Sequence, residues 1–231
     1  MKILALDFSS AQRSVAVIQK DELAPPPRQE SWYPEFENVI VSEFISLATG
    51  VTSPVHMAEN ALLEAQVERE EIEVIAVGLG PGSYNGIRGA ISVAQGWQLA
   101  REVQLLGISS AEVIAARAKE EGLLDRVNVV IDAQRGEFYV AVYELDADRY
   151  REVEPLKIVS QADIRGRELL GETLIGPEIK KWFPGGREIF PRAETLAKMA
   201  WTRKHFVSGE QLEPIYLRET SFVKAPKPRI L

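Results

Sequence analysis

The 231-residue chain has no cysteine and only two histidines. Without cysteine there can be no disulfide, no thiol nucleophile and no thiolate metal site. His56 and His205 lie far apart, so no histidine pair shares a helix face, and the spacing gives no support to a metal-dependent hydrolase. No apolar run is long enough to cross a bilayer. The opening MKILALDFSS has a short apolar run that ends in an aspartate, unlike a signal peptide, so a cytoplasmic location without membrane attachment is expected. Positive charge is also scarce. With 27 Lys and Arg against 34 Asp and Glu, the net charge is −7, which argues against broad nonspecific nucleic-acid binding but leaves room for a local basic patch.

What is present is a sizeable apolar fraction, 45% of residues, enough for one large domain or two small lobes. Ile3–Leu6 reads as a buried strand that ends at Asp7, followed by a polar turn and a second strand from Arg13. The prolines of LAPPPRQESWYP exclude a helix or a central strand there. The stretch from Phe36 to Val51 fits strand and helix alike. SPVHMAENALLEAQ predicts a helix with Ser53 as N-cap, Pro54 at its first position, and Val55, Ala58, Leu62 and Ala65 on one face. SAEVIAARAKEEG predicts another, closed by Gly122. RVNVVIDAQRGEFYVAVYEL repeats the opening pattern of strand, aspartate, turn and strand. After it the signals are mixed, except for a short helix at EIKKWFP and an amphipathic one at RAETLAKMAWTRKHF. The duplicated pattern points to two related α/β lobes.

Asp7, Ser9 and Ser10 could hold Mg²⁺ or line a phosphate cleft, but an aspartate in this place can equally cap its own turn. The turn DFSSAQRS has no glycine and its duplicate only Gly136, which is poor for a backbone that must close on phosphate. Asp132, Arg135, Glu137 and Tyr139 could do acid–base work or form an ion pair across a hairpin turn. Asp7, Ser9 and Asp132 are therefore candidate cofactor-binding residues of a vestigial phosphate cleft, and no residue is assigned as catalytic or metal-binding.

VGLGPGSYNGIRGAISVAQG, Val77–Gly96, is the densest glycine segment. It lacks the GK[ST] ending of a P-loop, and the third glycine of G-x-G-x-x-G falls on Asn85. It also misplaces the glycine of a G-x-S-x-G nucleophile turn. What remains is a tight turn and a helix from about Ile87 to Glu102, with Gly86, Ala90, Ala94 and Trp97 on one stripe. A helical glycine costs about 1 kcal/mol against alanine, so Gly89 and Gly96 call for a packing reason. Burial within the chain and contact with a partner both satisfy it. Tyr84, Gly86, Arg88, Ala90, Val93, Ala94 and Trp97 form the candidate interface, with a partner helix as the expected occupant.

Taken in order, ILALDFSSAQRSVAVI, IAVGLGPGSYNGIRGAISVAQGWQLA, LLGISSAEVIAARA, VVIDAQRGEFYVAVY, FPRAETLAKMA and EPIYLRE resemble the TsaB (YeaZ) family. The resemblance runs from Met1 to about Glu219, except Leu23–Thr52, and GPGSYNGIR followed by AQG is its most specific part. It implies an α/β fold of the actin-like (ASKHA) class with two ribonuclease-H-like lobes, residues 1–106 and 107–218, and a tail, 219–231. It also implies a non-catalytic subunit that pairs through its N-terminal lobe, as a homodimer alone or with TsaD. TsaD carries the metal and transfers threonylcarbamoyl to adenosine 37 of tRNAs reading codons that start with A. TsaE, an ATPase, joins, and tRNA is met through the complex. No tightly bound cofactor is implied, though ATP at the partner junction is compatible with it. The alternative is an independent ATP-dependent small-molecule kinase or ATPase of the same fold, with Asp7 and Asp132 flanking Mg²⁺–ATP. One departure stands out: relatives carry a Glu-His-Ser run at the start of their first long helix, and Phe36–Glu59 has none, so this edge is expected to be remodelled. Lys224, Lys227 and Arg229 in the tail fit either direct tRNA contact or a solvated end.

Overall fold

The computed structural model describes residues 1–20, 39–47 and 53–218. Most of the stretch that departs from the family pattern, and the three tail cations, lie outside the described residues. The first sheet contains β1 (Lys2–Asp7), β2 (Gln12–Lys20), β3 (Val39–Leu47), β4 (Val74–Gly78) and β5 (Gln104–Ile108), in the order β3-β2-β1-β4-β5. β1, β2 and β3 form an antiparallel meander, and β4 and β5 run parallel to β1. The second sheet contains β6 (Asp125–Asp132), β7 (Glu137–Leu145), β8 (Tyr150–Ser160), β9 (Thr173–Gly176) and β10 (Arg187–Glu188), in the order β10-β9-β6-β7-β8. Its pairing repeats the first, with an antiparallel β6-β7-β8 meander and β9 parallel to β6. The shared strand order makes this an actin-like two-lobed α/β fold, as the duplicated strand–Asp–turn–strand pattern suggested.

Among the described residues, five α-helices cover the sheets: α1 (Pro54–Ala65), α2 (Tyr84–Ala100), α3 (Ser110–Glu120), α4 (Gln161–Leu169) and α5 (Ala193–Thr202). Side chains alternate across a strand. Leu4, Leu6, Val15 and Val17 therefore meet α1 and α2, while Ile3, Ala5, Ala16 and Ile18 meet α5. Burial on both faces explains why β1 reads as an unbroken apolar run. α3 lies between the lobes. Its Ala111, Ile114, Ala115 and Ala118 pack with Val127, Val129 and Ile131, while Val113 and Ala116 join the core of the first sheet's α5 face.

The structure differs from the sequence reading in four places. α2 begins at Tyr84 rather than Ile87, because Ser83 caps it, its Oγ accepting from the Gly86 N–H at 3.4 Å. On α1, Ser53 makes no side-chain cap, and Val55 is 51% exposed; the inward face is Met57, Ala58, Ala61, Leu62 and Ala65. The mixed region after β7 holds β8, α4, β9 and β10. Finally, α5 packs on the sheet of the N-terminal half. The Ala193 N–H donates to Ser14 Oγ at 2.8 Å and the Glu194 N–H to Glu43 Oε1 at 3.1 Å, and the Arg192 guanidinium grips the same carboxylate. Glu43 and Ser14 thus supply the cap that Arg192, at the N-cap position, does not.

Candidate functional site

The first-strand turn is closed by its own chain. Asp7 is fully buried and accepts from the Ser9 N–H at 3.0 Å, Ser9 Oγ at 2.7 Å and Ser110 Oγ at 2.9 Å. Burial pushes its pKa above the ordinary carboxylate value, and the hydrogen bonds from Ser9 and Ser110 pull it part of the way back. The glycines make this closure geometrically feasible. A Cβ on Gly78 would stand 2.1 Å from Asp7 Oδ2, one on Gly82 2.0 Å from the Ser9 carbonyl oxygen, and one on Gly86 2.0 Å from that of Phe8. The Ser83 N–H completes the seam, donating to the Ser9 carbonyl at 2.7 Å. The glycine-rich segment thus presses the start of α2 against the turn after β1.

This arrangement corrects part of the expected interface. Gly86, Ala90 and Ala94 are buried, and Ala90 and Ala94 belong to the core beneath the first sheet, so no partner helix meets them. Tyr84 is 53% exposed and Arg88 is exposed beside it, its Nη1 donating to Tyr84 Oη at 3.0 Å and its guanidinium 5.2 Å from the ring centre. Val93 and Trp97 are partly buried and line a groove of about 490 Å³ between α1 and α2, together with Val55, Ser92 and Gly96. Gly89 has the expected packing reason, since its Cβ would lie 3.3 Å from Pro54 Cγ. Gly96 has none among the described residues, because none of them lies within 4 Å of a Cβ there. The outward stripe is therefore Gly89, Ser92, Val93, Gly96 and Ala100, with Leu99 at 91% exposure beside it. The sequence reading singled out Gly96 without placing it in the interface, and missed Ser92 and Leu99; the signal was a second set of small residues at helical spacing, one step around α2.

Between the lobes lies a cleft of about 980 Å³. Ser9 and Asp132 both line it; Asp7 does not, though it is hydrogen-bonded to Ser9 behind the cleft wall. Asp132 accepts from the Gln134 N–H at 2.7 Å and from Gln134 Nε2 at 3.3 Å. The expected ion pair across this turn does not form between Arg135 and Glu137. Glu137 pairs instead with Arg218, whose Nη2 also donates to the Ala133 carbonyl at 3.0 Å. Arg218 ends a strap across the cleft mouth. Its other end is held on the first lobe, where the Ile215 N–H donates to the Leu79 carbonyl at 2.9 Å and the Tyr216 ring stacks on Tyr84 with centroids 5.3 Å apart. His56 is exposed, 3.9 Å from Glu59, and among the described residues no three His, Cys, Asp or Glu side chains gather in a metal-sized group. No helix is long and apolar enough to cross a membrane among the described residues.

The model of the family "tRNA N6-adenosine threonylcarbamoyltransferase", TsaD, matches residues 53–220. The chain is 27% identical over 241 residues to the tRNA threonylcarbamoyladenosine biosynthesis protein TsaB of Escherichia coli (strain K12), covering 94% of this chain and 95% of the relative. Among solved structures it is similar to YeaZ from Pseudomonas aeruginosa, with 25% identity, a TM-score of 0.70, and coverage of 94% of this chain and 99% of the other. A second crystal structure from that organism, described as an uncharacterized protein with similarity to peptidase YeaZ, gives 26% identity, a TM-score of 0.73 and the same coverage. With a sealed first-strand turn, a duplicated sheet and matches over nearly its whole length, the chain belongs to the TsaB (YeaZ) family, within the reach of the TsaD family model.

Proposed function

We propose that this chain is a non-catalytic partner subunit in threonylcarbamoyl transfer to adenosine 37 of tRNAs reading codons that start with A, and that it acts by docking a TsaD-like catalytic subunit and activating it. A TsaE-like ATPase joins the assembly, tRNA is met through it, and the chain alone forms a homodimer. The carrying observation is the outward face of α1 and α2. Gly96 costs helix stability without meeting anything among the described residues, and Leu63 at 78% and Leu99 at 91% exposure stand on the same pair of helices. An exposed apolar face of this kind fits a helical partner. Residues 1–106 supply this face, residues 107–218 the second lobe together with α5, which returns to the first sheet, and 219–231 the tail. The kinase alternative loses support because Asp7, which would share a cation with Asp132, is enclosed by Ser9, Ser110 and Gly78.

The test is reconstitution with the cognate TsaD-like subunit and modification of a tRNA transcript. The isolated chain should neither transfer threonylcarbamoyl nor hydrolyse ATP, and the mixture should do the transfer. Gly96→Arg should lower modification at least tenfold while leaving the circular dichroism spectrum unchanged. Transfer or ATP hydrolysis by the chain alone would overturn the reading, as would full activity of the Gly96→Arg mixture.

A further inference from the structure

After α5 the chain touches both lobes in turn. Arg203, which caps the end of α5, holds the Glu112 carboxylate of α3 with both terminal nitrogens, at 2.6 and 3.3 Å, and its Nη2 also donates to Tyr150 Oη at 3.2 Å. Tyr150 Oη in turn donates to Glu112 at 3.0 Å. A two-pronged arginine–carboxylate pair fixes direction as well as distance. Because Tyr150 begins β8, this end of the segment is tied to the second sheet. The chain then runs along the first lobe. The Val207 N–H donates to the Leu105 carbonyl of β5 at 2.9 Å. Two side chains of α2 grip Gly209: its N–H donates to Gln98 Oε1 and its carbonyl accepts from Gln95 Nε2, both at 2.8 Å. Leu212 is buried in the core beneath α2. Ile215 and Tyr216 follow on Leu79 and Tyr84, and Arg218 reaches the second lobe again at Glu137 and at the carbonyls of Ala133 and Gln134, 3.0 and 3.4 Å away.

Residues 203–218 are thus fastened to the second lobe at both ends and to the first lobe between them. The two ends are far apart on the second sheet. Tyr150 pairs with Leu145, the last residue of β7, and Glu137 is the first residue of that strand. At the rise of an extended chain their separation along β7 is roughly 27 Å. One fastening would leave a pivot about which a lobe could turn; two separated fastenings remove it. Rotation between domains is absorbed by a few loop or element-terminal residues, and here the segment that joins the lobes carries an arginine clamp at each end. Its middle anchors converge on α2, at Gln95, Gln98 and Tyr84, the first residue of that helix. A shift of the second lobe would therefore pull on the start of α2 through Tyr216.

We propose that residues 203–218 are a girdle that fixes the angle between the lobes and ties the first turn of α2 to that angle. The inference does not depend on the docking role and is tested on the full isolated chain. That chain has no cysteine, so Lys20→Cys on β2 and Glu152→Cys on β8, both exposed positions, give a unique pair of spin-label sites, one on each sheet. Diluted into unlabelled chain, the labelled protein should show one narrow interlobe distance by double electron–electron resonance. Arg203→Gln together with Arg218→Gln should widen that distribution at least twofold, and Arg218→Gln alone should widen it less. In the double variant, hydrogen–deuterium exchange in the first turn of α2, Tyr84–Arg88, should quicken at least fivefold, while α1 exchanges as in the parent. A merely local role for the two arginines would leave that turn unchanged. If Arg203→Gln does not fold, Tyr216→Ala with Arg218→Gln, neither of them a buried residue, takes its place with the same two outcomes expected. The proposal is overturned if the variant keeps the parent's distance distribution, or if the first turn of α2 exchanges at the parent's rate.

Discussion

The two lobes share a strand order and an aspartate at the end of the first strand, but the turns behind those aspartates are filled differently. Behind Asp7 the chain closes on itself. Gly78, Gly82 and Gly86 admit atoms that a side chain would displace, and Ser9 and Ser110 occupy the carboxylate oxygens. Behind Asp132, Gly136 has nothing among the described residues within 4 Å of a Cβ, Gln134 is the carboxylate's partner, and the turn faces the cleft. One duplicated plan thus supports a solid joint in the first lobe and an open wall in the second. Crowding, rather than the aspartate, separates the two.

The comparison can be broken most severely at its glycines. Gly86→Val should destabilise the fold by about 3 kcal/mol or more, because β-carbon and Phe8 carbonyl cannot share the space. Gly136→Ala, at φ 74° with open space around it, should cost only about 1 kcal/mol, from the left-handed backbone alone. Urea denaturation of both variants reads the contrast, and equal losses would remove it. A smaller effect is expected at the anchor of α5. Glu43→Ala leaves the part-buried Arg192 and the Glu194 N–H without their acceptor and should cost about 2 kcal/mol, seen as a lower urea midpoint.

The smallest effect sharpens the comparison by pH. Because Asp7 has a raised pKa when folded, the native state binds its proton more tightly than the unfolded chain does. Stability from this group therefore falls as pH rises from the unfolded carboxylate value through the folded one. Asp7→Asn should remove that fall, so its stability relative to the parent should improve from pH 4 towards neutrality in thermal melts. A parent-like slope in the variant would show that Asp7 does not titrate as its burial requires.

The repeated strand–Asp–turn–strand unit was legible because period-two burial and turn residues are local signals. β1 and β6 needed only their own residues to declare themselves. The orientation of α2 was not legible. Gly86, Ala90 and Ala94 form one small-residue stripe and Gly89, Val93 and Gly96 another, and the first faces inward, with Gly86 against the Phe8 carbonyl and Ala90 and Ala94 in the core with Ile87 and Ile91. β8 escaped notice for a related reason. As an edge strand with an internal Pro155 and exposed Arg151, Glu152 and Lys157, it lacks the apolar run that marks β7.

The return of α5 to the first sheet has a consequence for how the protein is made. Ile3, Ala5, Ala16 and Ile18 leave the ribosome before the second sheet does, yet the residues that cover them, Leu196, Ala197 and Ala200, emerge only after it. Until then one face of the first sheet is an uncovered apolar surface. The N-terminal lobe therefore cannot finish folding as it is synthesised, and its completion waits for a second lobe that can already have formed.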